Sequence, residues 1–125
     1  MAIRTLIVLA GLLGVVLAQA PSTPTAGKDI FEKRCTGCHA LDSQRAGPKL
    51  RGVYGRKAGT VDGFPYSDEL KASRIVWDAV TLDKWLTDPE ALVPGNDMAF
   101  RVSKAEERAA VIEFLRSGTG VSERH

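Results

Sequence analysis

The pentapeptide Cys35-Thr36-Gly37-Cys38-His39 constrains the fold of this chain more than any other part of its sequence. Its two cysteines are the only cysteines in the 125 residues. Cysteines three positions apart on a helical turn face the same way, so one rigid group can receive both thiols. The next residue, His39, brings an imidazole to the same place. The fold must therefore leave room beside this segment for whatever the thiols and the imidazole hold.

This pattern is typical of the covalent attachment of a c-type haem, whose two vinyl groups lie on one edge of the ring. Three alternatives remain open at this point. A thioredoxin-like redox pair follows a strand, whereas a helical pattern precedes Cys35. A structural zinc site usually needs four ligands, and the second histidine of the chain is its last residue, His125. A disulfide between Cys35 and Cys38 closes too small a loop to stabilise much.

A second candidate ligand lies far along the chain. An iron atom held by His39 on one side needs a ligand on the other side if it is only to exchange electrons. One of the two methionines is the initiator, which leaves Met98. It follows Pro94-Gly95, a pair that favours a type II turn, and a rigid turn can aim a flexible side chain. The alternative is that Met98 only fills the core.

The first eighteen residues have the pattern of a secretory signal. A single early charge, Arg4, precedes thirteen apolar or glycine residues, from Leu6 to Ala18. Spanning a bilayer takes about 20 such residues. We therefore expect residues 1–18 to be a signal peptide, cleaved after Ala18, and the protein to be exported to the periplasm. An uncleaved leader that anchors the chain to the membrane is the alternative.

Net charge and length limit the function and the number of domains of the rest of the chain. The formal net charge is +2, and removal of Arg4 with the leader leaves +1, which excludes the strongly basic domain typical of nucleic-acid binding. The remaining residues are enough for one domain. We predict a linker over residues 19–26, a domain over 27–118 and a tail over 119–125. So small a domain buries little more than ~60% of its unfolded surface, so a large apolar cofactor would add to its core.

The pattern along this domain is helical, with long loops and no alternating strands. The stretch from Gly47 to Gly63 carries five glycines and is expected to be an ordered loop. The predicted fold class is therefore all-α. The predicted helices are about Lys28 to Cys38, a short helix capped by Ser67 and reaching about Ser73, Asp78 to Thr87 before Pro89, and a last helix opened by a Ser103–Glu106 capping box and ending near Gly118.

From Gly27 to Leu115 the chain resembles a class I c-type cytochrome of the mitochondrial and bacterial c2 type. The resemblance implies the cytochrome c fold, with about four helices and long loops wrapped around one covalently bound haem. The matching segments are Gly27 to Phe31, Cys35 to His39, Gly47 to Leu50, Gly52 to Arg56, Gly63 to Ser67, Trp77, Trp85-Leu86, Asp88-Pro89, Pro94 to Met98, Phe100 and Ile112 to Leu115.

The resemblance also implies roles for the residues around the iron. Cys35 and Cys38 would bind the haem covalently, His39 would be the proximal iron ligand and Met98 the distal one. Pro48 would offer its carbonyl to the other imidazole nitrogen and so fix the orientation of the ring.

The same resemblance implies roles on the rim of the haem crevice. Arg56, Tyr66 and Trp77 would hold the haem propionates, since carboxylates in an apolar crevice need a cation and hydrogen-bond donors. Ordinary core packing is the alternative for Tyr66 and Trp77. Trp85 stands where relatives often use a tyrosine to hydrogen-bond the methionine sulfur. Phe31 and Phe114 would meet where the first and last helices cross.

The function implied is that of a monomeric one-electron carrier between larger redox proteins, such as an oxidase, a reductase or a dehydrogenase. A fully ligated iron leaves no position for a substrate, so we expect no enzymatic activity. The alternatives are a fixed subunit of a larger oxidoreductase and a peroxidase-like or gas-binding haem protein. Glu90 and Asp97 lie where relatives often carry lysines. We therefore expect a docking face of mixed charge, with Arg34, Lys49 and Lys104 as its basic members.

Overall fold

The computed structural model describes residues 14–16 and 24–118. Residues 14–16 are exposed and have no regular secondary structure. The rest of the predicted signal peptide, its cleavage site and the C-terminal tail lie outside the described residues. In the part of the chain that the structure describes, no helix is both long and apolar enough to cross a membrane.

Helices make up the regular structure of the described residues. Within these residues a single antiparallel bridge, between Lys57 and Val76, lies outside the helices. The prediction of an all-α fold with long loops is confirmed, with one short helix, α4, more than expected. The elements are α1 (Pro24–Arg34), α2 (Asp68–Ala72), α3 (Ala79–Thr87), α4 (Pro89–Leu92) and α5 (Ala105–Glu113), and α5 continues into a π-helical turn (Phe114–Gly118).

The first helix begins and ends earlier than predicted. It begins at Pro24, because proline has no N–H to leave unpaired at a first helical position. Residues 24–26, predicted as linker, are therefore helical. It ends at Arg34, because the Cys38 amide bonds to the carbonyl of Cys35 at 3.2 Å, three residues back. That bond tightens the backbone into a turn, so the attachment motif is not helical.

Polar caps set the bounds of the middle helices. The Ser67 hydroxyl accepts a hydrogen bond from the Leu70 amide at 3.2 Å, and this confirms the predicted cap of α2. Asp78 and Thr81 form a reciprocal capping box at the start of α3. Pro89 ends α3 as predicted, but it is also the first residue of α4, where its fixed φ suits a helix start.

The predicted capping box at the start of the last helix is wrong. The helix begins after Lys104, which makes no side-chain cap, and Ser103 lies one residue further out. A long-range contact holds the segment that leads into this helix. The Arg108 guanidinium donates to the carbonyls of Val102 at 2.9 Å and Ser103 at 3.0 Å, and to the Asp83 carboxylate on α3 at 2.8 Å.

We expect Arg108→Met to lower the free energy of unfolding by about 2 kcal/mol, because two carbonyls and a carboxylate lose their common donor. The Arg108 side chain is only 12% exposed, so water replaces these bonds poorly. Urea unfolding followed by tryptophan fluorescence measures the change. Lys84→Met removes the same charge from an exposed side chain of α3 and serves as control. Equal losses in the two variants would contradict this role for Arg108.

The core forms where α1 crosses α5 and the π-helical turn. The rings of Phe31 and Phe114 lie 5.4 Å apart, at 46° to each other, which confirms the contact expected between the first and last helices. Gly27 is buried at the same crossing. The apolar face of the last helix is buried in this core and consists of Val111, Ile112, Phe114 and Leu115.

Candidate haem-binding site

The two cysteines lie in the turns that follow α1. Cys35 is half-buried, Cys38 is exposed, and their thiols are not joined. Burial raises the pKa of the Cys35 thiol to about 11, against a smaller opposing effect of the Arg34 charge. Reactive thiols of redox enzymes have a lowered pKa, and a helix rather than a strand precedes this pair. Both observations argue against a thioredoxin-like pair.

His39 is oriented by the proline carbonyl nine residues on. Its Nδ1 lies 2.8 Å from the Pro48 carbonyl oxygen, so Nδ1 carries the proton and donates it, and Nε2 keeps a free lone pair. Burial lowers the pKa of His39, and the bond to Pro48 raises it by less. The ring is therefore neutral at pH 7, which is the state that binds a metal.

The backbone of Gly47 packs closely against the His39 ring. A Cβ atom at this position would lie 2.6 Å from Nδ1 and 2.8 Å from Nε2 of His39. The Gly47 amide donates to the Cys38 carbonyl at 2.8 Å, and this bond holds the Gly47 backbone against the attachment motif. Gly47 belongs to the segment that carries the resemblance, but sequence reasoning gave it no role. The closeness of its backbone to the ring is a tertiary feature.

Met98 lies in the loop after α4, and its sulfur has a hydrogen-bond donor. The Trp85 Nε1–H on α3 donates to Met98 Sδ at 3.2 Å. Trp85 is buried, and its ring lies 5.3 Å from that of Trp77. The thioether is therefore held by a rigid helix on one side, with its remaining lone pair open to another partner.

The turn before Met98 has the predicted type II geometry. Gly95 has a φ of 87°, and the Asn96 amide donates to the Val93 carbonyl at 3.2 Å. The Asn96 side chain then accepts a bond from the Met98 amide at 2.7 Å. The Pro94-Gly95 pair and Asn96 together fix the backbone direction at Met98.

Arg56, Tyr66 and Trp77 form a second group at the loop side of the core. Arg56 donates to the Lys49 carbonyl at 3.0 Å, and its own carbonyl accepts from the Trp77 amide at 2.9 Å. Burial lowers the pKa of Arg56, and the charge interaction with Tyr66 opposes that effect. The Tyr66 hydroxyl accepts from the Val61 amide at 3.2 Å. The binding of propionates by this group stays a prediction.

These side chains fit a haem. The attachment motif supplies two thiols and an imidazole with a free nitrogen, and the loop supplies a thioether. In the described part of the chain, no three His, Cys, Asp or Glu side chains lie close enough to hold a bare metal ion. Around the core lie half-buried apolar side chains suited to a flat apolar ring, namely Leu41, Leu50, Tyr54, Leu70, Ile75, Leu92, Met98 and Phe100.

Comparison with known proteins agrees with this arrangement. A sequence profile described as cytochrome c matches residues 24–119. The chain belongs to the cytochrome c family. It is 44% identical over 86 residues to cytochrome c2 iso-2 of Magnetospirillum molischianum, covering 66% of this chain and 89% of that protein. It is 40% identical over 123 residues to cytochrome c2 of Rhodomicrobium vannielii, covering 95% and 98%.

A solved cytochrome has the same fold. The structure of cytochrome cH from Methylobacterium extorquens superposes with a TM-score of 0.71 and 38% identity, covering 75% of this chain and 97% of that one. Members of the cytochrome c family carry a covalently bound haem c, and Cys35 and Cys38 fit the attachment motif. The cofactor of this chain is therefore haem c.

Covalent attachment has a direct test. We expect the haem to stay with the unmutated protein when it is denatured in acidified organic solvent, because two thioether bonds hold it. In Cys35→Ala/Cys38→Ala, any haem that is bound should pass into the solvent. Absorption of the two phases measures the distribution. Release of haem from the unmutated protein would contradict attachment at these cysteines.

Proposed function

We propose that this cytochrome c is a mobile one-electron carrier in the periplasm, with its iron held between His39 and Met98. A haem iron with these ligands exchanges one electron between its ferrous and ferric states. The observation that supports the proposal best is the preset orientation of both side chains. Pro48 leaves Nε2 of His39 free, and Trp85 holds the Met98 sulfur on its loop.

Each of these residues contributes separately to the electron-transfer site. Pro48 fixes the tautomer of His39, so the ligand nitrogen needs no proton transfer before it binds. The Met98 thioether is a soft ligand and favours the ferrous state. Because the Trp85 N–H draws electron density from the sulfur, it adds to that preference. Arg56, Tyr66 and Trp77 would neutralise and bind the propionates, which keeps their charge from destabilising the crevice.

The proposed location and partners follow from the leader and from the relatives. The apolar leader predicts export, and two of the relatives are cytochromes c2. A carrier with both iron positions filled passes electrons between a donor and an acceptor protein and binds no substrate. We propose no enzymatic activity and no nucleic-acid partner.

The test of this proposal is the spectrum of the unmutated protein. Oxidised protein at neutral pH should show the weak near-red band of sulfur-to-iron charge transfer, and ferrous protein should bind carbon monoxide slowly. Absence of the band would exclude Met98 as the ligand. Rapid carbon monoxide binding would favour a gas-binding haem protein instead.

Docking to the native donor should depend only modestly on salt. Arg34 is paired with Glu107 and lies over the Phe100 ring at 5.5 Å, so part of its charge is already neutralised. Glu90 on α4 and Asp97 on the loop add negative charge. Because the charges largely cancel, we expect the association rate to change less than about tenfold from low to physiological salt, where the Debye length is ~8 Å.

Stopped-flow reduction at several ionic strengths measures this rate. Asp97→Lys should change the rate only a few-fold, because it alters one charge among several of both signs. A tenfold or larger fall with salt in the unmutated protein would contradict a docking face of mixed charge.

A further inference from the structure

The turn that carries Met98 is bound by a side chain from the preceding helix. Both carboxylate oxygens of Glu90 on α4 accept a hydrogen bond from the Gly95 amide, each at 3.1 Å. No backbone carbonyl of the described residues accepts from this amide. Glu90 is thus the intramolecular acceptor that closes the turn between α4 and the ligand loop. We call this contact the Glu90–Gly95 latch.

The latch has a fixed base. Pro89, the first residue of α4, is fully buried. Asp88 caps α4 by accepting from the Ala91 amide at 3.3 Å, and the Arg101 guanidinium binds the same carboxylate oxygen at 3.0 Å. Arg101 follows Met98 by three residues, so both arms of the loop are tied to the start of α4. Glu90 therefore extends from a short helix that is anchored in the core through Pro89.

Beyond the latch, short bonds lead directly to Met98. The Asn96 side chain donates to the Val93 carbonyl at 2.8 Å and accepts from the Met98 amide at 2.7 Å. Gly95, which the latch binds, directly precedes Asn96. Its φ of 87° lies in the region that glycine enters freely. Glycine also has the largest conformational freedom of any residue. The amide of this residue is thus the point where an extra bond restricts the loop most.

We propose that Glu90 is a positioning residue for Met98: the Glu90–Gly95 latch holds the ligand loop closed, so that the thioether stays directed at the iron. The inference rests on the proposed function, in which Met98 is the distal ligand. Without the latch, the turn opens more often and Met98 leaves the iron more often. An external ligand that competes with Met98 then binds faster in proportion to the open fraction.

The test compares four haem-loaded proteins: unmutated, Glu90→Ala, Glu90→Gln and Asp97→Asn. Glu90→Ala removes the latch. Glu90→Gln removes the charge but keeps a carbonyl oxygen that accepts from the Gly95 amide. Asp97→Asn is the matched control, because Asp97 is exposed, precedes Met98 in the sequence and forms no hydrogen bond or salt bridge with the described residues. The probe is carbon monoxide, which binds ferrous iron only when Met98 has left.

We expect carbon monoxide to bind Glu90→Ala about fivefold faster than the unmutated protein, the effect of losing one ordinary hydrogen bond at an exposed site. The near-red band of this variant should disappear at a lower urea concentration, while global unfolding by tryptophan fluorescence changes little. The Gly95 amide should also exchange its hydrogen faster. Glu90→Gln should recover most of the unmutated behaviour, and Asp97→Asn should match the unmutated protein.

Equal rates in Glu90→Ala and Asp97→Asn would overturn the latch while leaving Met98 as the ligand. A Glu90→Gln rate as high as that of Glu90→Ala would show that charge, and not the hydrogen bond, matters, and would also overturn it. If the unmutated protein lacks the near-red band, the proposed function itself fails, and the positioning role fails with it.

Discussion

Substitution of Gly27 by alanine is expected to lower the free energy of unfolding by about 3 kcal/mol, the upper end of the range for overpacking a core. Gly27 lies where α1 crosses α5. A Cβ atom there would come within 2.7 Å of Phe114 Cβ and closer still to the Ala110 carbonyl oxygen. Neither is the end of a flexible side chain, so the two helices must move apart. That movement would also separate the rings of Phe31 and Phe114.

Urea unfolding of the haem-loaded protein measures the loss. Gly37→Ala is the matched control, because Gly37 is exposed and a Cβ atom there would have no protein atom within 4 Å. We expect it to change the stability by less than about 1 kcal/mol. If Gly27→Ala is as stable as this control, the helix crossing is looser than the structure shows.

Substitution of Met98 by alanine is expected to have the largest effect on function. Loss of the soft thioether should remove the near-red band and lower the reduction potential by on the order of 100 mV or more, within the roughly 0.8 V that axial ligands span. It should also open the iron to rapid binding of carbon monoxide. Visible spectroscopy and redox titration measure these changes.

Trp85→Phe is the informative comparison for Met98→Ala. It keeps the thioether and a ring of similar shape, but removes the N–H that donates to Met98 Sδ at 3.2 Å. We expect the near-red band to remain and the potential to fall by less than in Met98→Ala. If the two variants have the same potential and spectrum, the main role of Trp85 would be to keep the ligand bound.

Local sequence chemistry predicted the helices whose caps are local. Ser67 and Pro89 act within a few residues of the elements they bound, so the sequence was enough to place them. The predicted Ser103–Glu106 capping box is wrong because the helix begins one residue later than the box requires, after Lys104. Arg108 holds the segment before the helix, and one of its bonds reaches Asp83 on another helix. A pattern confined to four residues carries no information about that bond.

The residues of the candidate site show the same difference between local patterns and long-range contacts. The attachment motif and the single available methionine are rare enough in sequence to stand out, and family resemblance added Pro48 as a partner for His39. Gly47 and Gly27 received no role, because each acts through the close approach of distant segments. Glu90 was predicted only as a surface charge, since a sequence does not show that its carboxylate folds back to the Gly95 amide.

The crossing of α1 with the last helix also bears on the order of events when the protein is made. The attachment motif follows α1 directly, whereas Phe114 is near the other end of the chain. A polypeptide that emerges with its N-terminus first exposes Cys35 and Cys38 long before Phe114 is available to pack on Phe31. Both thiols are therefore accessible before the helix crossing that completes the core can form.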